Sequence, residues 1–359
     1  QDDSPVSNAG SAYIFEKPGG GWISMTESAK LTASDQANAD YLGQSVSISG
    51  NHILAAAPGD DENGSSSGSV YFYEKPGANW LTATETSKAS PYFEWFGTAF
   101  FGCDVAIDGN YAVVGSRAAY SNQGTAYVLF FDGTSWEKVA ELSASDAAAG
   151  DWYGFSVDMS GDVIVIGAHY DDDSGSASGS AYVYVMPGGG WVDMTETAKL
   201  TASVGFMNDY FGYDVSIDGD VIVVGAHGDD EGAGDSGGVF VFEKPGGGWS
   251  TMIETCQISP SSPSNGGYFG YSVDIDSDQI VVGEYGNSDI ASDTGAVYVY
   301  EKPGANWITM TETAKLTTTD ATASDQLGQS VSISGSNIIA GAHTDDDAGT
   351  SSGSAYIWT

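Results

Sequence analysis

Gly-Ser-Ala-Tyr-Ile-Phe-Glu-Lys-Pro at residues 10–18 returns as Gly-Ser-Val-Tyr-Phe-Tyr-Glu-Lys-Pro at 68–76 and as Gly-Ala-Val-Tyr-Val-Tyr-Glu-Lys-Pro at 295–303. Looser copies start at Gly124, Gly179, Gly237 and Gly353, so successive starts lie 58, 56, 55, 58, 58 and 58 residues apart. A tryptophan follows six of them, at Trp22, Trp80, Trp136, Trp191, Trp249 and Trp307. A fixed period of this length is the mark of a repeat architecture, in which each unit covers the apolar face of its neighbour.

Working outward, each repeat holds four strand-like pieces, here A to D. Piece A alternates apolar and polar residues (Ser-Val-Ser-Ile-Ser-Gly at 45–50, Asp-Val-Ser-Ile-Asp-Gly at 214–219), the period of a half-buried strand. Piece B is continuously apolar (Ile-Val-Val-Gly-Ala-His at 222–227), as a strand covered on both faces would be. Piece C is the opening motif, and piece D begins at the tryptophan. Glycine turns such as Asp108-Gly109-Asn110 join A to B, and Lys-Pro-Gly turns join C to D. The expectation is an all-β fold: a β-propeller of four-stranded antiparallel blades, forming a single domain over residues 1–359. There are six A, B and D pieces but seven C pieces. Six blades are favoured, closed by joining N- and C-terminal strands, with one C strand left over; seven is the alternative. The surplus strand offers an edge for self-association.

Composition narrows the partners. The chain has 359 residues, 41% hydrophobic, with 49 glycines and only 10 prolines, which suits short strands and tight turns. Asp and Glu total 49 against 10 Lys and Arg, a net charge of −39. Such a charge disfavours nucleic acid and anionic membranes and favours cations, basic partners or salt. No apolar stretch reaches membrane-spanning length, so no membrane insertion is expected. Cys103 and Cys256 fall in non-neighbouring repeats and are expected as free thiols. Gln1 is not an initiator residue, which implies that a segment was removed ahead of it.

Further motifs carry a family resemblance. Tyr41-Leu42-Gly43, Phe101-Gly102, Tyr153-Gly154, Phe211-Gly212, Phe269-Gly270 and Leu327-Gly328 open the A pieces, and Gly-Ala-His closes B at Gly167, Gly225 and Gly341. This set resembles the FG-GAP repeat of integrin α-subunit heads and bacterial surface proteins, over nearly the whole chain. The resemblance implies an extracellular or cell-surface binding or adhesion module. Calcium-binding integrin repeats carry an Asp-x-Asp-x-Asp-Gly loop between A and B. Here that connection is a tight turn, and Asp218-Gly219-Asp220 is too short for the six to eight oxygens calcium takes.

Acid collects instead between B and C, at Asp60-Asp61-Glu62, Asp171-Asp172-Asp173, Asp229-Asp230-Glu231 and Asp345-Asp346-Asp347. The D-to-A connections add Asp35, Asp40, Asp146, Asp151, Asp209, Asp320 and Asp325. In an A-B-C-D meander both connections emerge at one rim, with Lys17, Lys75, Lys244 and Lys302 at the other. Adjacent carboxylates in Gly/Ser-rich loops suit Ca2+; the same residues would equally serve as solvated loops capping backbone N–H groups. The second repeat differs. Its D-to-A connection holds Tyr92, Phe93 and Trp95, and its B-to-C loop holds Arg117, the one arginine, and Tyr120. These are either a recognition surface or an apolar insert packed on the rim. The tryptophans are expected to pack between blades, and the four histidines to lie apart. No nucleophile elbow, zinc-protease or phosphate-loop motif is present. The resulting expectation is a non-enzymatic module recognising a surface glycan or protein. A structural subunit of a surface layer or filament, and a polysaccharide-active enzyme, are the alternatives.

Overall fold

The computed structural model describes residues 6–91, 98–230, 232, 234–347, 349 and 352–359. It divides into two compact units, residues 1–162 with 186–196 and residues 163–185 with 197–359. The described strands form seven small sheets.

In the first unit, the first sheet holds a C strand, Ala12–Ile14, and a D strand, Ala29–Thr32. The second runs Val46–Ser49, His52–Ala57, Ser69–Glu74, Ser87–Ala89, and the third Phe101–Asp108, Tyr111–Ser116, Thr125–Phe131, Trp136–Ser143. The strand Ser156–Ser160 completes this unit. In the second unit, Val163–Ala168, Ser180–Val185 and Ala198–Thr201 are followed by two full A-B-C-D sheets. These are Asp214–Asp218, Val221–Ala226, Gly238–Glu243, Cys256–Ile258 and Ser272–Asp276, Gln279–Glu284, Ala296–Glu301, Ala314–Leu316. The last sheet has A, B and C strands only, Leu327–Ser334, Asn337–Ala342 and Ser354–Trp358. Neighbours in each A-B-C-D series are antiparallel, with Gly225 opposite Asp214 and Val239.

The propeller-blade reading holds, and the favoured count of six does not. The N-terminal C and D strands and the C-terminal A, B and C strands belong to different sheets, so joining the ends into one blade is corrected to seven sheets. No C piece is surplus: the first, Ala12–Ile14, pairs with Ala29–Thr32, and the seventh, Ser354–Trp358, pairs with Asn337–Ala342 in the last sheet. Piece D also proves composite. After the tryptophan, two residues pair in parallel with the preceding sheet's D strand, as Ala83–Thr84 does with Leu31 and Thr32. Only then does the chain return as the D strand proper. The glutamate between them clamps the preceding sheet. Glu85 takes the Ser34 N–H (2.9 Å) and hydroxyl (2.6 Å), and Glu312 does the same to Ser261 (2.7 and 2.6 Å).

The core lies between sheets. Val163, Val165, Ala181 and Val183 of one sheet meet Val215, Ile217, Ile222, Val224, Phe240 and Phe242 of the next, with Trp249 sealing the edge. Trp80, Trp136 and Trp307 occupy the same place in other junctions, as expected of inter-blade packing. Each such aliphatic side chain contributes about 1.5–3 kcal/mol on burial, so the stacked sheets stabilise what a lone meander could not.

Two sequence motifs meet at every junction. Gly237, at φ +82, opens a C strand and forms a parallel bridge to Phe269 of the next sheet; a Cβ there would lie 1.9 Å from the Phe269 carbonyl oxygen. Only glycine tolerates that approach. Side chains of one A strand also hold the backbone of the next. Ser45, Ser47 and Ser49 accept the N–H groups of Val105, Ile107 and Gly109 (each 3.1 Å), and Asp274 and Asp276 accept those of Ile333 (2.7 Å) and Gly335 (2.6 Å). Burial raises the carboxyl pKa of Asp104 and Asp274 against the opposing effect of these hydrogen bonds.

Candidate functional site

The B-to-C and D-to-A loops meet within each unit, as the meander requires. Gly59 N–H donates to the Asp40 carbonyl (3.1 Å), and Gly228 N–H to that of Asp209 (3.2 Å). The aspartates here divide by burial. Asp40, Asp151, Asp209 and Asp325 are buried and each accepts a backbone N–H three residues earlier, at 2.5–2.6 Å. Asp60, Asp171, Asp229 and Asp345, first in their loops, are buried too; Asp61, Asp172, Asp173, Asp230, Asp346 and Asp347 are exposed.

Each buried first aspartate organises its loop. Asp60 accepts the Glu62 N–H (2.8 Å) and the Tyr71 hydroxyl (2.7 Å); Asp171 accepts the Asp173 N–H (3.0 Å) and the Tyr182 hydroxyl (2.6 Å); Asp345 accepts the Asp347 N–H (3.0 Å) and the Tyr356 hydroxyl (2.7 Å). A lysine from the D strand then reaches the same carboxylate. Lys88 lies 3.0 Å from Asp60, 2.6 Å from Asp35 and 2.7 Å from Glu62, and Lys199 lies 3.1 Å from Asp171 and 2.6 Å from Asp173. Both ammonium groups sit 5.1 Å from the centre of the tyrosine ring. Burial alone would lower the Lys88 pKa, but hydrogen bonds to Asp35, Glu62 and Asp60 outweigh it and hold the ammonium above the ordinary lysine value. Burial would likewise raise Asp35, yet Lys88 holds it below the usual carboxylate range.

The pattern varies without losing its logic. At Asp229 the lysine is replaced by Gln257, whose Nε2 donates at 3.3 Å. In the sixth sheet Asn287 stands in the first-aspartate position, and the buried carboxylate comes from the B strand. Glu284 accepts the Ser264 hydroxyl (2.5 Å), the Asn287 amide (2.8 Å) and the Tyr298 hydroxyl, while Lys315 pairs with exposed Asp289 (2.6 Å). In the third sheet Glu141 of the D strand pairs with Lys138 (2.9 Å).

Asp35, Asp60 and Glu62 bring one oxygen each to within 4.8 Å of one another, a set able to hold a metal ion. The Lys88 ammonium satisfies the same three carboxylates. Where lysine is missing, the acids crowd: Asp345, Asp320, Asp325 and Asp346 raise the pKa of Asp347.

A second feature is aromatic. The residue before each Phe-Gly, Tyr-Gly or Leu-Gly that opens an A strand has a left-handed backbone, and it is bulky in Tyr41 (φ 59), Phe100 (φ 50), Trp152 (φ 55), Tyr210 (φ 57) and Tyr268 (φ 58). Such a conformation is costly for a large side chain and persists where neighbouring structure enforces it. Here the Tyr268 N–H is held by the Asp235 carbonyl (3.1 Å) and the Tyr210 N–H by that of Ala177 (3.1 Å). In the second unit these tyrosines join the residues that close B and follow Phe-Gly in a continuous belt. Tyr213 stacks on His227 (4.2 Å), Tyr271 lies 4.8 Å from Tyr213, and Tyr285 stacks on Tyr268 (5.2 Å, 5°). Burial lowers the His227 pKa to about 4 and pushes Tyr285 up to about 12. The histidines are therefore not a shared metal set; His169 and His227 are ring partners within the belt.

In the first unit the corresponding place is taken by Arg117, whose guanidinium lies over Phe100 (4.6 Å), Trp152 (5.1 Å) and Phe155 (5.4 Å). Exposed Tyr120 donates to Glu141 (3.0 Å). Tyr92, Phe93 and Trp95 lie outside the described residues. Both cysteines are free, as expected.

A family model described as the FG-GAP repeat matches residues 25–73, 97–130, 136–184, 194–242, 253–300 and 310–358. The chain belongs to the FG-GAP repeat family. Five FG-GAP matches run D-A-B-C, and the one at 97–130 covers A, B and C, whereas the complete sheets run A-B-C-D, so the D strand at the start of a match belongs to the sheet before it. Six matches plus the leading C strand thereby give seven sheets. No curated protein matches the chain. Among the described residues no helix is long and apolar enough to cross a membrane. The D-strand lysines and the tyrosine belt were missed by reading the loops for acid alone. Five of the ten cationic residues recur on D strands, at Lys30, Lys88, Lys138, Lys199 and Lys315, and that recurrence was the available signal.

Proposed function

We propose that this FG-GAP chain is a non-enzymatic binding module of the cell exterior, holding a surface glycan or protein on its B-to-C and D-to-A loops. The observation that carries the reading is the tyrosine belt of the second unit, Tyr210, Tyr213, Tyr268, Tyr271 and Tyr285, half-buried and set among acidic loops. Flat aromatic faces with hydroxyl tips bind at low entropic cost. The carboxylates beside them support binding over catalysis, because the buried ones are engaged by lysine, tyrosine and backbone donors. Arg117 and Tyr120 supply the matching patch of the first unit. Ca2+ enters as a competitor of Lys88 for Asp35, Asp60 and Glu62.

A glycan array and a cell-surface binding assay, with and without calcium, test the reading. Binding that falls at least tenfold in Tyr268→Ala and Tyr285→Ala supports it. Absence of binding to any surface component in both conditions, or retention in both variants, removes it.

A further inference from the structure

Four D-to-A loops share one backbone clasp. In each, a buried aspartate accepts the N–H three residues before it: Asp40 from Ala37 (2.6 Å), Asp151 from Ala148 (2.6 Å), Asp209 from Phe206 (2.5 Å) and Asp325 from Thr322 (2.6 Å). The residue just ahead of the aspartate has positive φ in all four, at Ala39 (φ 68), Gly150 (φ 105), Asn208 (φ 69) and Ser324 (φ 72). Alanine or threonine at the donor position therefore suffices for this loop shape.

Of the four, the loop at 203–209 departs in one direction, towards apolar bulk. Val204 stands where the others carry Asp35, Asp146 and Asp320, Phe206 where they carry Ala37, Ala148 and Thr322, and Met207 where they carry Asn38, Ala149 and Ala323. Val204, Phe206 and Met207 are 47%, 56% and 65% exposed. One exposed apolar side chain needs no account, but three within four positions mark an interaction surface. The loop is fastened to its neighbour by backbone alone, Asn208 N–H donating to the Ser176 carbonyl (2.9 Å) and Tyr210 N–H to that of Ala177 (3.1 Å), so its shape does not depend on the three side chains.

The surroundings define what fits. The tyrosine belt begins at Tyr210, with exposed Tyr170 edge-on at 5.6 Å. The neighbouring B-to-C loop carries exposed Asp172 and Asp173, the second already paired with Lys199 (2.6 Å). Burial, then Tyr170 and the Asp235 carboxylate, raise the Tyr210 pKa, so negative potential reaches the belt from the following B-to-C loop as well. Val204 and Met207 offer a sugar neither a flat ring nor a hydrogen-bond donor. A pliable thioether beside a phenyl ring suits aliphatic side chains, and the acidic margin suits cations.

We infer that Val204, Phe206 and Met207 anchor a docking surface for a basic segment of another protein chain, one carrying bulky aliphatic side chains between lysines or arginines. The aliphatic groups bury against the loop, and the cations meet Asp172 and Asp235. The inference rests on the binding face proposed above and fixes its partner as protein.

The test titrates the 359-residue chain with the peptide Lys-Leu-Lys-Leu-Lys-Leu-Lys and, as a control of equal charge, with Lys-Ser-Lys-Ser-Lys-Ser-Lys. The control measures the general attraction of any cation to a chain of charge −39. The leucine peptide should bind saturably and at least tenfold more tightly, and should shift the methyl resonance of Met207, assigned among the 7 methionines by its loss in Met207→Ala. Phe206→Ala combined with Met207→Ala restores the residues of the loop at Ala148 and Ala149, so folding should be kept. This double variant should lose at least tenfold in affinity for the leucine peptide and nothing for the serine peptide. Asp172→Asn should weaken the leucine peptide several-fold. Equal binding of the two peptides, an unmoved Met207 methyl, or full affinity in the double variant would overturn the inference. Surface binding that falls in Tyr268→Ala and Tyr285→Ala but is unchanged in the double variant would overturn it too, while leaving the binding face itself standing.

Discussion

Lys88→Met is the sharpest perturbation of the acid–lysine centres, because it removes the ammonium and keeps most of the stem. In the folded chain Lys88 is 17% exposed and faces Asp60 at 7%, Asp35 at 44% and Glu62 at 57%. The exposed partners contribute little, about 0–1 kcal/mol each, since water screens them. The cost resides in Asp60, whose carboxylate would be left buried without its counter-charge. Breaking a buried pair in this way typically costs about 3–5 kcal/mol. Asp60 keeps the Tyr71 hydroxyl and the Glu62 N–H, which places the expected loss at the lower end, about 3 kcal/mol. Lys315→Met is the internal control. Its partner Asp289 is 62% exposed, so the loss should stay within about 1 kcal/mol. Urea unfolding followed by fluorescence measures both. Adding Asp60→Asn to Lys88→Met should recover part of the loss, because a neutral amide needs no counter-ion. In Lys88→Met alone, the freed Asp35, Asp60 and Glu62 should also acquire a calcium-specific stabilisation, at matched ionic strength, larger than that of the parent chain. Equal losses in Lys88→Met and Lys315→Met, or no recovery in the double variant, would refute the assignment of the lysine as an internal counter-ion.

Three further outcomes follow from the same geometry. Glu312→Ala removes both acceptors from Ser261 and should cost about 1–2 kcal/mol, with hydrogen exchange rising at the Ser261 amide. Gly237→Ala forces a Cβ against the Phe269 carbonyl at positive φ and should cost more than about 3 kcal/mol, or abolish soluble expression. His227, held to about 4 against an ordinary 6.5, refuses at pH 5 a proton that the unfolded chain takes up. Its stabilisation is therefore complete above about 6.5 and is lost as pH falls towards 4. The total is on the order of 3 kcal/mol at 1.36 kcal/mol per pKa unit. The pH-dependence of unfolding between 7 and 4 should be shallower in His227→Phe by that amount, and an unchanged slope would contradict the burial of the imidazole.

The strand order of the blades was legible because it rests on local chemistry. Alternation in Asp-Val-Ser-Ile-Asp, continuity in Ile-Val-Val-Gly-Ala and glycine turns between them need no knowledge of distant residues. The blade count was harder. It depends on which sheet takes each D strand, and the sequence from Trp22 to Thr32 reads equally as one strand or as a crossing segment followed by one. The Glu–Ser clamp resolves it in the structure: its partners lie 51 residues apart, one repeat away, where no local pattern points.

The acid–lysine centre lay between these extremes. Its members keep constant offsets, 11 residues from Asp60 to Tyr71 and 28 from Asp60 to Lys88, and again from Asp171 to Tyr182 and Lys199. Asp229 and Gln257 keep the offset of 28 with the charge removed, so the backbone register, not the ion pair, sets the geometry. A loop of consecutive aspartates invites a metal when read alone. Read with the residue 28 positions on, it predicts its own counter-ion, and in a chain with only 10 basic residues each recurrence of lysine carries weight. It follows that charge in this family should be counted by position across the repeat. The acids that pair with a D-strand lysine, Glu62 and Asp173 among them, hold the loops in shape, so the proposed binding surface is the tyrosine belt with the exposed second loop acids Asp61, Asp172, Asp230 and Asp346.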